Sequence, residues 1–146
     1  MEIIVASIGL LASAITVSVS YFFTKKHQLK MEERRLKEEF YKSFIKALSD
    51  VAIDNKDDEA QKRLSEGFNS LIVIASANVV RKLMDFHDFV RLENTTIPRN
   101  SEEWSRKHDI LLNELVKAMR QDLFGKREAI DKFPAIHLVG RKPSKI

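Results

Sequence analysis

An uninterrupted apolar run near the N-terminus limits what this chain can fold into. From Ile3 to Thr24 there are 22 residues without a charged side chain, bounded by Glu2 and Lys25. A helix of that length reaches about 33 Å, which exceeds the hydrocarbon thickness of about 30 Å. Residues 21–23 are aromatic, and aromatic rings favour the headgroup region at the edge of a bilayer. The sequence therefore predicts a single transmembrane helix over residues 1–24.

Two other interpretations of this run fit less well. A cleaved signal peptide has a basic start, a shorter apolar core and a cleavage site with small residues. This chain instead starts with Met1 and Glu2, and its apolar run continues into Phe22, Phe23 and two lysines. A buried helix of a globular protein rarely contains 22 consecutive uncharged residues, because such a run leaves no face of the helix polar. We therefore expect the segment to act as a membrane anchor.

The charges that flank the run predict its orientation. Residues 25–42 contain seven Lys or Arg against four Glu, whereas the N-terminal flank has only Glu2. The positive-inside rule places the C-terminal side in the cytoplasm and the N-terminus outside. The basic side chains nearest the run, Lys25, Lys26 and Lys30, are candidates for contact with anionic lipid headgroups. The alternative is that they serve only as a topology signal.

Small and hydroxyl-bearing residues form one seam along the predicted transmembrane helix. Their spacings of 3, 4, 3 and 4 place them on a single face: Ala6, Gly9, Ser13, Thr16 and Ser20. Membrane helices associate where small residues let two backbones approach and where hydroxyls can bond across the contact. The seam therefore predicts a homo-oligomer. Two alternatives stay open, a chance alignment of ordinary membrane residues and a hydroxyl-lined pore built from several copies.

The rest of the chain is predicted to be helical. Few Gly and Pro interrupt a sequence rich in Lys, Glu, Leu and Ala. Residues 25–53 continue the membrane helix as a stalk and first cytosolic helix, with apolar residues at helical spacing: Leu29, Leu36, Phe40, Phe44, Leu48 and Val51. Residues 54–125 complete the bundle with two further helices, at about 58–92 and 101–124. We expect an all-α protein with an antiparallel bundle of about three helices.

Polar residues, Gly and Pro predict where these helices begin and end. Residues 54–58 form a turn that ends one helix and caps the next, and residues 92–100 form a loop. Asn100 occupies the capping position of the last helix, with Glu103 three residues later. Gly125 ends that helix. Residues 126–146 form a basic and mostly irregular tail.

The apolar faces of the last two helices can be predicted from their spacing. The helix at 58–92 presents ten apolar residues: Ala60, Leu64, Phe68, Leu71, Ile72, Ala75, Val79, Leu83, Phe86 and Val90. The inner face of the helix at 101–124 consists of Trp104, His108, Leu111, Leu115, Ala118 and Leu123. Three further apolar residues lie beside this face: Ile110, Leu112 and Met119. Helices with such faces can bury one another.

Residues for catalysis or metal binding are sparse. The four histidines lie on different segments, and no Glu-x-x-His pair of the kind used by di-metal bundles occurs. Phosphate-binding glycine loops, H-E-x-x-H and Gly-x-Ser-x-Gly motifs are also absent from the sequence. We therefore expect no cofactor and no metal, with His87 as a packing or surface residue. Arg120 and Asp122 are interpreted as a solvated pair or a salt bridge that closes the bundle.

Nucleic acid is not an expected partner. The basic residues are divided between the membrane flank and the tail, and the body between them is slightly acidic. A nucleic-acid reader needs its basic residues on one face, with base-reading side chains among them. The sequence favours the lipid bilayer, a second copy of the chain and a cytosolic protein as partners.

The order of these segments along the chain resembles that of a known class of membrane proteins. An N-terminal span, a basic stalk and the segments RKLMDFHDFV and HDILLNELVKAMRQDLFG resemble small single-pass inner-membrane proteins of bacteria. Some of those proteins are associated with phage defence or mobile elements. The resemblance implies a membrane-tethered accessory or effector protein in the cell inner membrane, with its C-terminal domain in the cytoplasm.

Two functional hypotheses follow. The first is a non-enzymatic, membrane-anchored oligomer whose helical domain docks a partner or senses a signal, and whose assembly perturbs the membrane in a defence setting. The second is a membrane-tethered enzyme or ligand-sensing module with a site between the cytosolic helices, using His87, His108 and Arg120. The near-empty set of catalytic residues favours the first.

Overall fold

The chain folds into four helices. The structure is a computed structural model that describes residues 2–54, 56–91, 97–98 and 101–125, with side chains described from Ile15 onward. The helices have these bounds: α1 Glu2–Ile53, α2 Asp58–Ile74, α3 Ala77–Val90 and α4 Glu102–Phe124. The described ranges contain no strand, so the all-α prediction is confirmed for them. The predicted tail at 126–146 and most of the predicted loop at 92–100 lie outside the described residues.

The chain divides into two compact units, residues 1–36 and residues 37–146. Helix α1 runs unbroken from Glu2 to Ile53, as the absence of Gly and Pro from residues 25–53 predicts. In the first unit the side chains from Ile15 to Leu36 are all exposed, including Leu29 and Leu36 of the predicted apolar stripe. The stripe is therefore buried only in the second unit, where Phe44 and Leu48 enter the core.

The transmembrane prediction receives no support from the described side chains. Over the helices from Ile15 onward, none carries an apolar stretch long enough to cross a membrane. Three residues of the predicted seam, Ala6, Gly9 and Ser13, lie outside the described side chains, while Thr16 and Ser20 are exposed. The anchor and its seam therefore stay predictions from the sequence.

The second unit has one hydrophobic core to which all four helices contribute. Its buried residues are Tyr41, Phe44 and Leu48 of α1, Leu71 of α2, Val79, Leu83 and Phe86 of α3, and Leu112, Leu115, Ala118 and Met119 of α4. Each helix contributes an apolar face with helical spacing, so the faces close on one another and exclude water. A helical bundle is therefore confirmed, with four contributing helices in place of the predicted three.

Neighbouring helices of this bundle run antiparallel. In the pair α1 and α2, Asp50 lies 3.8 Å from Arg63 near the connecting turn, and Phe44 packs against Gly67 farther away. In the pair α3 and α4, Lys82 Nζ lies 2.6 Å from Glu114 Oε2. The rings of Phe89 and Trp104 stack at 5.4 Å at the other end of that pair. In both pairs residue numbers rise along one helix as they fall along its neighbour.

The single helix predicted for residues 58–92 is wrong, because the chain breaks at Ala75 and Ser76. Both residues have extended backbone, with ψ of 157° and 156°. The last hydrogen bond of α2 runs from the amide of Ala75 to the carbonyl of Leu71. The first hydrogen bond of α3 runs from the amide of Val80 to the carbonyl of Ser76. Serine is a favoured N-cap residue, but its side chain makes no capping bond here; its hydroxyl bonds Asp122 of α4 instead. A contact distant in sequence thus accompanies the break.

The predicted helix ends are mostly correct. Asp57 caps α2 by accepting the amide of Glu59 at 2.9 Å, within the predicted turn. At α4 the cap is Ser101 rather than Asn100, since Ser101 Oγ accepts the amide of Trp104 at 3.1 Å. Gly125 ends α4 with φ of 75°, a backbone conformation that residues with a Cβ rarely adopt.

Two apolar residues assigned to inner faces are exposed instead. Ile72 of α2 is 44% exposed and Ile110 of α4 is 52% exposed. On α4 the fully buried positions are Leu112 and Leu115, so the centre of the inner face lies closer to Leu112 than predicted. Spacing alone gives the width of an apolar face, while the neighbouring helices decide which edge of it is covered.

Candidate functional site

A groove of about 650 Å³ opens between α1, α2 and α3 in the second unit. Six of its lining residues are apolar: Phe44, Leu48, Leu64, Phe68, Phe86 and Val90. The other four are polar: Ser65, Asn69, His87 and Arg91. Its volume lies within the range of about 300–1,000 Å³ that is typical of small-molecule sites. The groove is the best candidate for a binding site in the described part of the chain.

Helical spacing explains why the apolar lining residues meet. Each of the three helices contributes one pair of residues four positions apart: 44 and 48 on α1, 64 and 68 on α2, 86 and 90 on α3. Residues at this spacing lie on the same face, one turn apart. Three such faces around one space give an apolar surface about one helical turn long.

The polar lining residues repeat this spacing one position later. Ser65 and Asn69 follow the apolar pair of α2, and His87 and Arg91 follow that of α3. The His87 ring packs on Phe68 with a centroid distance of 4.7 Å, and its Nδ1 lies 3.3 Å from Asp88 Oδ1. The groove therefore has polar side chains from two helices beside its apolar surface.

A second polar cluster centres on Asp122 near the end of α4. Tyr41 Oη donates to Asp122 Oδ2 at 2.5 Å, and Lys37 Nζ lies 3.4 Å from the same oxygen. The Ser76 hydroxyl also bonds this carboxylate. The Lys37 and Asp122 side chains are only 16% and 11% exposed. This cluster joins α1, the break between α2 and α3, and α4.

The electrostatics of this cluster indicate a structural role. Burial raises the pKa of Asp122, but the hydrogen bond from Tyr41 and the charge of Lys37 outweigh it, so the net pKa is lowered. Burial, together with the hydrogen bond to Asp122 and its charge, raises the pKa of Tyr41. Near neutral pH the carboxyl is ionised and the phenol keeps its proton. Groups whose pKa values diverge in this way are poor proton-transfer partners.

His108 belongs to an aromatic stack between α3 and α4. Its ring stacks on Trp104 at 5.1 Å and meets the edge of Phe86 at 5.2 Å. The side chain is buried, and its Nδ1 lies 3.2 Å from Asp109 Oδ1. The residue thus contributes to packing between the two helices.

The residues proposed for a shared catalytic site have different surroundings. His87 lines the groove, His108 lies in the stack between α3 and α4, and Arg120 lies over the ring of Phe124 at 5.2 Å. The sequence predicts that Asp122 pairs with Arg120, either in solvent or as a salt bridge that closes the bundle; the described partners of Asp122 are Tyr41, Lys37 and Ser76.

The other predicted site residues are on the first unit. Lys25, Lys26 and Lys30, the predicted headgroup contacts, are exposed, as are Thr16 and Ser20 of the seam. Within the described residues, no group of three or more His, Asp or Glu side chains is arranged to hold a metal ion.

Sequence reasoning missed the groove and the bond between Tyr41 and Asp122. The sequence did contain one indication of the bond between Tyr41 and Asp122: a tyrosine within an apolar face needs a partner for its hydroxyl. No family model, no characterised protein and no solved structure matches this chain. Its function therefore has to be argued from its own residues.

Proposed function

We propose that this chain is a membrane-anchored, self-associating helical protein that acts as a non-enzymatic interaction or effector module. The uncharged run of 22 residues at 3–24 forms its single membrane span. The N-terminus lies outside and the bundle unit lies in the cytoplasm, because the basic residues follow the run. In the inner membrane of a bacterium, its partners are lipid, a second copy of the chain and a cytosolic protein.

The observation that carries this proposal is the continuity of α1. The helix passes without interruption from the uncharged run, through an exposed basic segment, to the buried residues Phe44 and Leu48. From residue 25 to residue 53 this helix contains no Gly or Pro at which it would kink. The residues assigned to the membrane and the residues that enter the core thus belong to one helix.

Self-association is the second part of the proposal. The seam of Ala6, Gly9, Ser13, Thr16 and Ser20 would allow close approach of two helices in lipid. At the cytoplasmic end, Lys25, Lys26 and Lys30 are exposed and able to contact anionic headgroups, at about 1 kcal/mol for each basic side chain. The defence setting, in which assembly perturbs the membrane, rests on the resemblance alone.

A non-enzymatic role agrees with how the polar residues of the bundle are used. The Asp122 carboxylate holds helices together through Tyr41 and Lys37, and His108 packs between Trp104 and Phe86. These side chains make contacts that stabilise the bundle, so their conservative replacement should lower the free energy of unfolding.

The mass of the full-length chain, purified in a mild detergent, tests the proposal. Light scattering should give a defined oligomer for the wild type and a smaller species for the double variant Gly9→Ile, Ser13→Ile. The matched control is Ala14→Ile, which adds a similar side chain about 100° around the helix from Ser13. This control should keep the wild-type mass, because it leaves the seam intact.

Two results would remove the proposal. An unchanged mass in the double variant would exclude the seam as the contact. Recovery of the wild-type chain in the supernatant after alkaline extraction of membranes would exclude the anchor itself.

A further inference from the structure

We propose that an apolar strip along α2 and α3 is a docking surface, and that its occupant is the chain's own segment 130–139. The strip consists of one row of residues from each helix: Leu64, Phe68 and Ile72 of α2, and Val80, Met84 and His87 of α3. The strip and its occupant contain no residue of the seam, so this docking goes beyond the proposed assembly of membrane helices.

The residues of the strip are accessible. Ile72 is 44% exposed and Met84 is 39% exposed, and the other four are half-buried. Within each row the residues lie three or four positions apart, so each row follows one face of its helix. Apolar side chains left partly in water gain free energy when another apolar segment covers them.

The two rows face each other across a single groove. The rings of Phe68 and His87 are in contact, with centroids 4.7 Å apart, and the chain folds back between α2 and α3 at Ala75 and Ser76. Ile72 lies one turn after Phe68, and Met84 lies one turn before His87. Both exposed residues are therefore on the side of the ring contact that is nearer to the break. The strip continues from there towards Leu64.

The end of α4 identifies the occupant. The Ser76 hydroxyl bonds the Asp122 carboxylate, and Gly125 ends the helix three residues later. The chain therefore leaves α4 close to the break between α2 and α3, where the strip begins. The eight residues from Gly125 to Phe133 can span up to about 27 Å. About 18 Å of helix separates Leu64 from the break, so the segment that follows can cover the whole strip.

The composition of this segment matches an apolar surface. The segment lies outside the described residues, but its sequence is known. Seven of the ten residues from 130 to 139 are apolar: Ile130, Phe133, Pro134, Ala135, Ile136, Leu138 and Val139. So high an apolar content favours contact with another apolar surface over exposure to water.

The charges that flank the strip complement those that follow the segment. Residues 140–146 contain Arg141, Lys142 and Lys145 and no acidic residue. At the end of the strip away from the break, α2 begins with the exposed Asp58. On α3, Asp88 is 62% exposed, although it also lies 3.3 Å from His87 Nδ1. A segment that runs along the strip from the break thus brings its basic end towards two carboxylates.

Photocrosslinking in the full-length chain tests the docking. p-Benzoylphenylalanine in place of Phe133 keeps an aromatic side chain in the segment and reacts on irradiation with the C–H bonds that it touches. Unlabelled and heavy-nitrogen-labelled chains are mixed in a mild detergent until subunits exchange, so that peptide masses separate crosslinks within one chain from crosslinks between two. The crosslinks should lie within one chain and should join the segment to peptides that contain residues 64–72 or 80–87.

Variants with matched controls assign the crosslink to the strip. Ile72→Lys and Met84→Lys should each lower the crosslink yield at least about fivefold, because a charged side chain replaces an apolar contact. The control is Val73→Lys, the next residue of α2, which is 83% exposed and lies about 100° around the helix from Ile72. This control should keep the wild-type yield. Circular dichroism checks that all three variants, which change exposed side chains, are folded.

Three results would overturn the inference. Crosslinks between unlabelled and labelled chains would show that a second copy covers the strip. Crosslinks only to detergent, or only to peptides outside α2 and α3, would assign the segment to another surface. Equal yields for Ile72→Lys and Val73→Lys would show that the strip makes no contact.

The docking and the proposed oligomer can fail independently. The crosslink within one chain should persist in the seam variant Gly9→Ile, Ser13→Ile, whose oligomer is measured by mass. Loss of docking would leave that mass unchanged.

Discussion

Tyr41 and Asp122 are 81 positions apart in the sequence, and the Tyr41 hydroxyl donates a 2.5 Å hydrogen bond to the Asp122 carboxylate. Lys37 approaches the same oxygen at 3.4 Å, and the Ser76 hydroxyl completes the set. One carboxylate thus connects α1, the start of α3 and the end of α4. Because its side chain is only 11% exposed, these partners replace most of the water that would otherwise solvate its charge.

Removal of this carboxylate should strongly destabilise the bundle. Asp122→Ala leaves the buried Tyr41 hydroxyl and the nearly buried Lys37 ammonium without their common partner. The free energy of unfolding should fall by about 2–4 kcal/mol. Tyr41→Phe removes only one neutral donor and should cost about 1–2 kcal/mol. Urea unfolding of the full-length chain, followed by the fluorescence of Trp104, measures both changes.

An exposed ion pair provides the control for this prediction. Glu114 pairs with Lys82 at 2.6 Å, but its side chain is 45% exposed. Glu114→Ala should therefore lower the free energy of unfolding by less than about 1 kcal/mol. Equal losses for Asp122→Ala and Glu114→Ala would contradict the special role given to the buried cluster.

The same cluster predicts how stability depends on pH. The pKa of Asp122 is lowered in the folded state, so its contribution is present above an unfolded value of about 4 and is lost as pH falls below it. The pKa of Tyr41 is raised, so its contribution is present below about 10 and is lost as pH rises further. Thermal melts across pH 3–11 should show a plateau between these limits. Tyr41→Phe should remove part of the alkaline decline, because it removes a group of the cluster that loses its proton there.

The break between α2 and α3 predicts tolerance to proline at one position. Ala77 is the first residue of α3, and Ser76 before it has the extended backbone that proline requires of its neighbour. Ala77→Pro should change the free energy of unfolding by no more than about 1 kcal/mol, and in the stabilising direction. Arg81→Pro, one turn inside the helix, should cost about 3 kcal/mol or more. Comparable losses at both positions, measured by thermal unfolding, would mean that residues 58–92 form one helix.

The contact between α1 and α2 predicts a size limit at Gly67. A Cβ built at this position would lie 3.4 Å from Phe44 Cδ2 and 3.5 Å from Phe44 Cα. Gly67→Ala should be neutral or stabilising by up to about 1 kcal/mol, because alanine favours the helix and just fits. Gly67→Leu should destabilise by about 1–3 kcal/mol, because it pushes Phe44 out of place. Gly125→Ala is a useful comparison, since its strain comes from a φ of 75° rather than from a neighbour. Denaturant midpoints of the three variants test this order.

The candidate groove could be only partly predicted. The pairs at 64 and 68 and at 86 and 90 are predictable as apolar residues at helical spacing, whereas the sequence predicts for His87 only a packing or surface role. Their meeting around a shared space was not predictable, because it requires α2 and α3 to fold back on each other at Ser76. A single helix over 58–92 would hold these pairs about six turns apart.

The sequence by itself determined the local features of this protein. These are the helical character of the described chain, the end of α1 at Ile53, the Asp57 cap and the stop at Gly125, and they depend on propensities and bonds within a few residues. The tertiary structure alone decided the break at Ser76, the outward position of Ile110 and the partners of Asp122. Each of these depends on which helix lies opposite, and a buried charge or apolar edge is stabilised only by residues that are distant in sequence.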